Sequence, residues 1–327
     1  MTLPLVLMGH PLPPEWIASL EGRVRLMVGP PDPPGFSPQL LDLLGEADGI
    51  VSMLIDRIDE ALLSRAPRLR VVSNYAVGFD NIDISACTRR KIPVGNTPGV
   101  LTDATADLAM TLLLSTARGI MKAATDARNG LWQNWTPTGW LGADLHGATL
   151  GIIGLGKIGR AVAQRAKGFG LNVVYYKPKR EPEVEAALGV NYLPLDDLLS
   201  TSDFISLHTP LTPQTRGMID EAVLKKMKRT SILINTARGS IVVTDALVRA
   251  LREGWIAGAG IDVTDPEPLP KSHPLYDLPN CLVIPHIGSA THGTRRRMAE
   301  LACENLLAGL EGRKLPNCVN KEIYLEK

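Results

Sequence analysis

The sequence predicts an α/β protein that contains a doubly wound parallel sheet and a second, smaller α/β unit. Two observations lead to this fold class. Short apolar runs typical of buried strands alternate with helical patterns along most of the chain, and a glycine-rich turn joins one of these strands to the next helix. With 327 residues, the chain is long enough for two domains that each bury a core.

Composition excludes several classes of function. Hydrophobic residues make up 45% of the chain and charged residues 21%, as in ordinary globular proteins. The 35 Lys and Arg balance 34 Asp and Glu, and no apolar run reaches the length of a membrane span, so we expect neither a nucleic-acid nor a membrane partner. The four cysteines lack metal-ligand spacing, which predicts free thiols, no metal site and a cytoplasmic location.

The first hundred residues contain five short apolar runs, at residues 3–8, 24–28, 49–54, 69–73 and 92–94, which predict the strands of the smaller unit. The segment N-Y-A-V-G-F-D-N (74–81) follows the fourth strand. A glycine turn there can offer backbone N–H groups to a small anion, although the pattern taken alone favours an ordinary turn.

A helix over residues 101–118, capped by Thr102 or Asp103, carries the chain into its second half. The arm that follows, defined here as residues 131–141, places Trp132, Trp135 and Trp140 in a stretch with little periodicity. Because this stretch cannot bury three tryptophans by itself, we expect the arm to bury them against a second subunit. A loop pinned to its own domain is the alternative.

From residue 150 onwards, strand and helix patterns alternate regularly. Strands are predicted at residues 150–153, 172–176, 204–207, 231–235, 257–262 and 282–284. Helices are predicted at about 157–169, 181–188, 196–200, 220–228 and 244–253. This alternation predicts a parallel sheet with right-handed crossovers and helices on both faces.

The turn after the first of these strands reads G-L-G-K-I-G (154–159) and matches G-x-G-x-x-G. Gly154 permits the tight turn, Gly156 lets the backbone approach a pyrophosphate, and Gly159 lets the helix pack on its strand. The free N–H groups and the dipole at the helix start favour an anion. The context of strand, turn and helix predicts dinucleotide binding, with an ordinary βαβ turn as the alternative.

Polar residues follow the carboxyl ends of the other strands, where parallel sheets bind their ligands. Taken singly, each fits a surface ion pair or a capped loop, but on one rim a cation, two acids and a histidine predict an active site. In chain order they are Lys177, His208, Thr209, Pro210, Thr236, Ala237, Arg238, Gly239, Asp262, Glu267 and His286.

The second strand of this half ends in Lys177-Pro178-Lys179-Arg180, with no acid before Glu181. NAD-binding folds place an acid about 20 residues beyond the glycine turn, where it accepts hydrogen bonds from the ribose 2′-hydroxyl. Three cations at this position favour a 2′-phosphate instead. We therefore predict NADPH as the preferred cofactor and NADH as a poorer one, and a solvated basic turn is the alternative.

Three further segments carry a family resemblance. N-T-A-R-G (235–239), A-G-A-G-I-D-V-T-D-P-E-P-L (257–269) and P-H-I-G-S-A-T (285–291) resemble the signatures of the D-isomer-specific 2-hydroxyacid dehydrogenases, and the resemblance covers essentially the whole chain. It implies that Arg238 binds the substrate carboxylate, that His286 is the general acid/base, and that Glu267 holds and tunes this histidine. Residues 74–81 and the L-W-Q-N-W-T-P segment look most like those of the glyoxylate/hydroxypyruvate reductases.

The resemblance also implies the architecture and the binding residues. It implies two Rossmann-like domains, namely a flavodoxin-like substrate-binding domain (1–100 and 286–327) and an NAD(P)-binding domain with a dimerisation arm (101–285), with the active site in the cleft between them and a homodimer as the assembly. The implied substrate contacts are Leu54, Val77, Gly78, Arg238 and His286. The implied cofactor contacts are Thr105, Gly154, Leu155, Gly156, Lys157, Ile158, Gly159, Lys177, Pro178, Lys179, Arg180, His208, Thr209, Pro210, Thr215, Thr236, Ala237, Asp262 and Gly288.

These residue types suit the reduction of a 2-oxoacid. A guanidinium binds the carboxylate as a bidentate fork, and an imidazolium protonates the alkoxide as it forms. We expect NADPH-dependent reduction of glyoxylate and hydroxypyruvate to glycolate and D-glycerate. Two alternatives stay open: a D-2-hydroxyacid dehydrogenase for a bulkier 2-oxoacid, and a nucleotide-sensing corepressor-like protein on the same fold.

Overall fold

The structure is a computed structural model that describes residues 2–31 and 35–325. Its strands are β1 (Leu5–Met8), β2 (Arg25–Val28), β3 (Gly49–Ser52), β4 (Val71–Asn74), β5 (Val94–Gly95), β6 (Thr149–Ile153), β7 (Asn172–Tyr176), β8 (Asn191–Tyr192), β9 (Phe204–Leu207), β10 (Ile232–Asn235), β11 (Gly258–Ile261) and β12 (Cys281–Val283). Its α-helices are α1 (Pro38–Asp42), α2 (Glu60–Ser64), α3 (Ile84–Arg89), α4 (Thr102–Ala117), α5 (Ile120–Arg128), α6 (Lys157–Gly168), α7 (Pro182–Leu188), α8 (Leu195–Thr201), α9 (Glu221–Lys226), α10 (Thr244–Arg252) and α11 (His292–Leu310).

The chain divides into two compact units, and the first comprises Met1–Leu101 and Ala290–Lys327. Its five strands form a parallel sheet in the order β2-β1-β3-β4-β5, which is the flavodoxin-like order. Helix α11 packs against this sheet, and Gly309 makes that approach possible, because a Cβ there would lie 2.5 Å from the Cβ of Val71. The predicted flavodoxin-like sheet is confirmed.

The second unit, Thr102–Ser289, contains a seven-stranded sheet in the order β12-β11-β10-β9-β6-β7-β8. Every strand pairing in it is parallel. Apolar side chains of α4 and α6 cover one face, and those of α8, α9 and α10 cover the other. The predicted doubly wound sheet is confirmed, and its strand order reverses between β6 and β9.

Among the described elements, α5, β8 and α11 are examples of structure that the sequence patterns do not predict. Helix α5 begins directly after Gly119, whose φ of 55° ends α4 in the left-handed region. None of the residues of α5 is buried. The helix therefore has no apolar stripe facing a core, which is the feature from which helices are usually predicted. Strand β8 has only two residues and is defined by its pairing with β7, which a local pattern does not encode.

The arm of residues 131–141 leaves much of its apolar surface exposed. Trp132 is 65% exposed and Trp135 83% exposed, whereas Trp140 is anchored to α5 because its indole Nε1 donates to Asp126 Oδ2 at 2.9 Å. The arm and α5 line an open hollow of about 570 Å³. Neither strand nor helix forms within the arm.

Over residues 2–31 and 35–325, no helix combines the length and the apolar composition that crossing a membrane requires. The cysteines Cys87, Cys281, Cys303 and Cys318 are free thiols. Burial raises the pKa of Cys87 and that of Cys281 to about 12, so these two thiols stay protonated at neutral pH.

Candidate active site

The glycine turn between β6 and α6 is shaped by two close backbone contacts. Gly154 has a φ of 100°, and a Cβ there would lie 2.6 Å from the carbonyl carbon of His208. A Cβ on Gly159 would lie 2.3 Å from the carbonyl oxygen of Gly154. Only glycine fits at either position, because each Cβ would overlap backbone atoms that cannot move aside.

Gly156 has a different environment, since a Cβ there would meet no atom within 4 Å. The turn therefore opens onto free space at its second glycine. The first N–H groups of α6, which starts at Lys157, have no acceptor within the helix and face this side of the turn. The donors and the open space fit a dinucleotide pyrophosphate, and they lie at the switch point of the sheet, where such ligands bind.

His208 follows β9 on the same rim. Its Nε2 lies 2.8 Å from the Ser206 hydroxyl oxygen, and burial lowers the pKa of His208 to about 4. The imidazole is therefore neutral at physiological pH. A neutral histidine can orient a ligand by hydrogen bonding, but at pH 7 it lacks the imidazolium proton that general acid catalysis uses.

The predicted cation run after β7 is partly engaged in ion pairs. Lys177 Nζ lies 2.9 Å from Glu181 Oε1. Arg180 binds both carboxylate oxygens of Glu185, each at 2.8 Å. In the part of the chain that the structure describes, Lys179 has no ion pair. The three cations thus differ in how readily they can bind a further anion.

A buried asparagine organises the turn that carries Arg238. The Asn235 side chain accepts a hydrogen bond from the Ala237 N–H at 3.0 Å and donates to the Arg238 carbonyl at 2.9 Å. The next residue, Gly239, lies against the segment after β11, since a Cβ there would come within 2.0 Å of the Thr264 carbonyl. This approach brings the Arg238 turn beside the loop that carries Glu267.

Glu267 and His286 form the central pair of the site. His286 Nδ1 lies 2.5 Å from Glu267 Oε1, and Glu267 Oε2 accepts the Thr264 N–H at 3.2 Å. Burial acts to raise the pKa of Glu267, but the hydrogen bond and charge of His286, the Thr264 N–H and the charge of Arg238 together hold it below its usual value. Glu267 is therefore ionised at neutral pH and can stabilise a protonated imidazole.

Asp262 holds the loop on which His286 lies. This residue is 1% exposed; its Oδ1 accepts the Ile287 N–H at 2.7 Å and its Oδ2 accepts the Gly288 N–H at 2.9 Å. The Asp262 carbonyl accepts the His286 N–H at 2.9 Å. Thr105 donates from its hydroxyl to the Gly288 carbonyl at 3.1 Å. His286 itself has a φ of 50°, a left-handed conformation that this set of bonds maintains.

Several other predicted cofactor residues lie on the same rim. The Thr215 hydroxyl donates to the Pro210 carbonyl at 2.7 Å and thereby closes the loop after His208. Thr236 is 9% exposed, and within the described residues its buried Oγ1 has no hydrogen-bond partner. Such an atom at the rim is a candidate contact for a ligand.

The predicted substrate residues Leu54, Val77 and Gly78 belong to the first unit. The Asn74 side-chain amide donates to the Gly78 carbonyl at 2.7 Å, and that of Asn96 donates to the Val77 carbonyl at 2.8 Å. Because the C=O and N–H of a trans peptide point in opposite directions, the Gly78 N–H points away from Asn96. Two side-chain amides thus hold this loop through its backbone carbonyl groups.

Two residues that no sequence motif singles out contribute to the rim of the larger sheet. Thr264 positions Glu267 through its backbone N–H, and its role depends on a tertiary contact without a sequence signature. Arg160 follows the last glycine of the fingerprint directly, and its Nε donates to the Leu155 carbonyl at 3.3 Å. Its place in the first turn of α6 is the sequence signal that could have indicated it.

Comparison with known proteins gives consistent results. Residues 110–288 match the model of the "D-isomer specific 2-hydroxyacid dehydrogenase, NAD binding domain", which is more than half of the chain. A glyoxylate reductase of Thermococcus litoralis is 48% identical over 326 residues, which cover 98% of each chain. A glyoxylate reductase of Korarchaeum cryptofilum is 47% identical over 321 residues, which cover 98% of this chain and 97% of the relative. A crystal structure of a Thermus thermophilus protein is 49% identical, has a TM-score of 0.90, and matches over 96% of this chain and 99% of its own.

Proposed function

Because the chain belongs to the D-isomer specific 2-hydroxyacid dehydrogenases, and is therefore an NAD(P)-dependent oxidoreductase that acts on a CH–OH group, we propose that it reduces glyoxylate and hydroxypyruvate to glycolate and D-glycerate. The observation that carries this proposal is the His286–Glu267 pair at 2.5 Å beside the Arg238 turn. The similar proteins of Thermococcus litoralis and Korarchaeum cryptofilum are glyoxylate reductases, which supports the same substrate class.

The proposed roles follow from the chemistry of each group. A reduced nicotinamide cofactor held at the glycine turn between β6 and α6 would supply the hydride for the substrate carbonyl carbon. Arg238 binds the adjacent carboxylate through its guanidinium fork and draws electron density from the carbonyl. His286 donates the proton from Nε2 to the forming alkoxide, while Glu267 holds Nδ1–H and stabilises the imidazolium. The Val77 and Gly78 N–H groups are proposed as further donors to the carboxylate.

Turnover measurements test this function directly. We expect steady loss of NADPH absorbance with glyoxylate and with hydroxypyruvate, and slower loss with pyruvate and phenylpyruvate. A higher kcat/KM for phenylpyruvate would favour a dehydrogenase for bulkier 2-oxoacids. Binding of NADPH without turnover of any of the four substrates would favour a nucleotide-sensing protein and contradict the proposal.

We also propose that NADPH is preferred to NADH. The cations Lys177, Lys179 and Arg180 at the end of β7 support this preference, because they suit a 2′-phosphate better than a ribose hydroxyl. A Sinorhizobium meliloti structure, described as an NADPH-dependent glyoxylate/hydroxypyruvate reductase in complex with NADP and malonate, is 32% identical with a TM-score of 0.85 and covers 98% of each chain. The double variant Lys177→Asp/Arg180→Ala should raise the KM for NADPH sharply and that for NADH little. A native enzyme that prefers NADH would overturn this part.

The assembly and the roles of the two units are further parts of the proposal. We propose that the first unit binds the 2-oxoacid, that the second binds the cofactor, and that the protein is a cytoplasmic homodimer. The exposed Trp132 and Trp135 of the arm support dimerisation, because burying them against a second copy removes a large apolar area from water. The free thiols are typical of a reducing compartment and support the location.

A further inference from the structure

The carboxylate of Glu181 bridges two cations at the end of β7. Its Oε1 lies 2.9 Å from Lys177 Nζ, and its Oε2 lies 3.0 Å from Arg160 Nη2. The three side chains are partly accessible, with exposed fractions of 26% for Glu181, 34% for Lys177 and 42% for Arg160. Both cations are therefore within reach of solvent and of a ligand, but each already has an anionic partner.

The backbone of Glu181 is held in place by a separate set of bonds. Its N–H donates to the Tyr175 hydroxyl at 2.9 Å, and Tyr175 is fully buried in β7. The same hydroxyl donates to Glu185 Oε1 at 2.8 Å, and Glu185 also binds Arg180 through both of its oxygens. Arg180 therefore pairs with Glu185, whereas the anionic partner of Lys177 and of Arg160 is Glu181.

The position of this bridge matters for the cofactor. Arg160 lies in the first turn of α6 and contacts the Leu155 carbonyl of the glycine turn, while Lys177 directly follows β7. Glu181 lies 22 residues after Gly159, close to the spacing at which folds of this kind place the acid that binds a ribose 2′-hydroxyl. The strand itself ends without an acid, and the acid stands four residues after Lys177, where it pairs with both cations.

We propose that Glu181 determines how strongly this enzyme distinguishes NADPH from NADH, by competing with the 2′-phosphate for Lys177 and Arg160. A 2′-phosphate placed between these cations must displace the carboxylate, because two anions cannot share them without repulsion. A ribose 2′-hydroxyl carries no charge, so it leaves the bridge intact. Glu181 thus lowers the affinity for the phosphorylated cofactor alone. This inference rests on the proposed 2′-phosphate site at the end of β7.

Glu181→Gln tests the inference, because it keeps the shape of the side chain and removes its charge. The matched control is Glu183→Gln, which removes the same charge from an exposed side chain of α7 that has no ion pair among the described residues. Calorimetric titration with 2′,5′-ADP and with 5′-AMP measures the affinity without turnover. For Glu181→Gln we expect roughly threefold to tenfold tighter binding of 2′,5′-ADP, the effect of releasing two partly exposed ion pairs, with 5′-AMP within about twofold.

The outcomes separate this inference from the cofactor proposal. The KM for NADPH should fall in Glu181→Gln in the same proportion, and that for NADH should stay within about twofold. Equal gains in Glu181→Gln and Glu183→Gln, or no gain in either, would overturn the role of Glu181. In that case a loss of 2′,5′-ADP affinity in Lys177→Ala would leave the cofactor proposal standing. If Lys177→Ala binds 2′,5′-ADP as tightly as the native protein does, both proposals fall.

Discussion

Replacing Asp262 by asparagine tests whether one buried carboxylate holds the loop of His286. The Asp262 oxygens accept the Ile287 N–H at 2.7 Å and the Gly288 N–H at 2.9 Å. Asparagine has nearly the same shape and keeps one acceptor oxygen, but its NH₂ group faces a backbone N–H. One buried donor therefore loses its acceptor, and the remaining hydrogen bond loses its charge.

The magnitude follows from two opposing effects. A hydrogen bond to a charged group contributes about 1.5–3 kcal/mol, and an unsatisfied buried donor costs about 1–3 kcal/mol. The second effect opposes the first, because burial raises the pKa of Asp262. Ionisation of Asp262 therefore lowers the free energy of unfolding as the pH rises from about 4 through the raised pKa. Asparagine cannot ionise, so it removes this cost at neutral pH. We expect a net loss of about 2 kcal/mol in the free energy of unfolding, or roughly 4–8 °C in Tm.

Chemical denaturation and the rate of glyoxylate reduction measure the two consequences. Turnover of the folded variant should fall by more than about tenfold, because His286 is then displaced from the position in which it can protonate the substrate oxygen. The control is Asp203→Asn, whose carboxylate accepts the Thr149 N–H at 2.9 Å and pairs with Lys228 at the opposite end of the strands. It should lose stability and keep its turnover. Equal loss of turnover in both variants, or native stability in Asp262→Asn, would refute the reasoning.

Four further predictions concern the proposed roles. His286→Ala should lower kcat by about 10²–10⁴-fold and leave NADP⁺ binding unchanged by calorimetry, and a loss below tenfold would exclude His286 as the acid. Arg238→Lys should raise the KM for glyoxylate, since a point charge cannot replace the guanidinium fork, and an unchanged KM would argue against carboxylate binding. Because the pKa of Glu267 is lowered, its ionisation stabilises the fold above its unfolded pKa of about 4.3. This stability is lost as the pH falls through the lowered pKa. Glu267→Gln should abolish that loss in denaturation curves recorded from about pH 6 to pH 3. Light scattering should give twice the chain mass of 35.3 kDa for the native protein. Trp135→Arg should lower the measured mass towards that of the monomer. A monomeric native protein would contradict the dimer proposal.

The fold class and the glycine turn could be predicted from the sequence because both depend on local patterns. The predicted strands of the larger sheet are each a short apolar run, and G-L-G-K-I-G joins one of them to an amphipathic helix within a few residues. The polar residues of the rim follow from the same reasoning, since parallel strands end at one edge. The family motifs add the likeness of Arg238, Glu267 and His286 to a known site, but a motif contains no distances.

The pairing of these residues depends on the tertiary structure. The contact between Glu267 and His286, and the hold of Asp262 on Ile287 and Gly288, join residues 19 to 26 positions apart. In the sequence, residues 177–180 contain three cations and no acid. In the fold, Glu181 forms ion pairs with Lys177 and with Arg160 of α6. Such pairings depend on how helices pack on the sheet and on which charges become neighbours, so no local pattern specifies them.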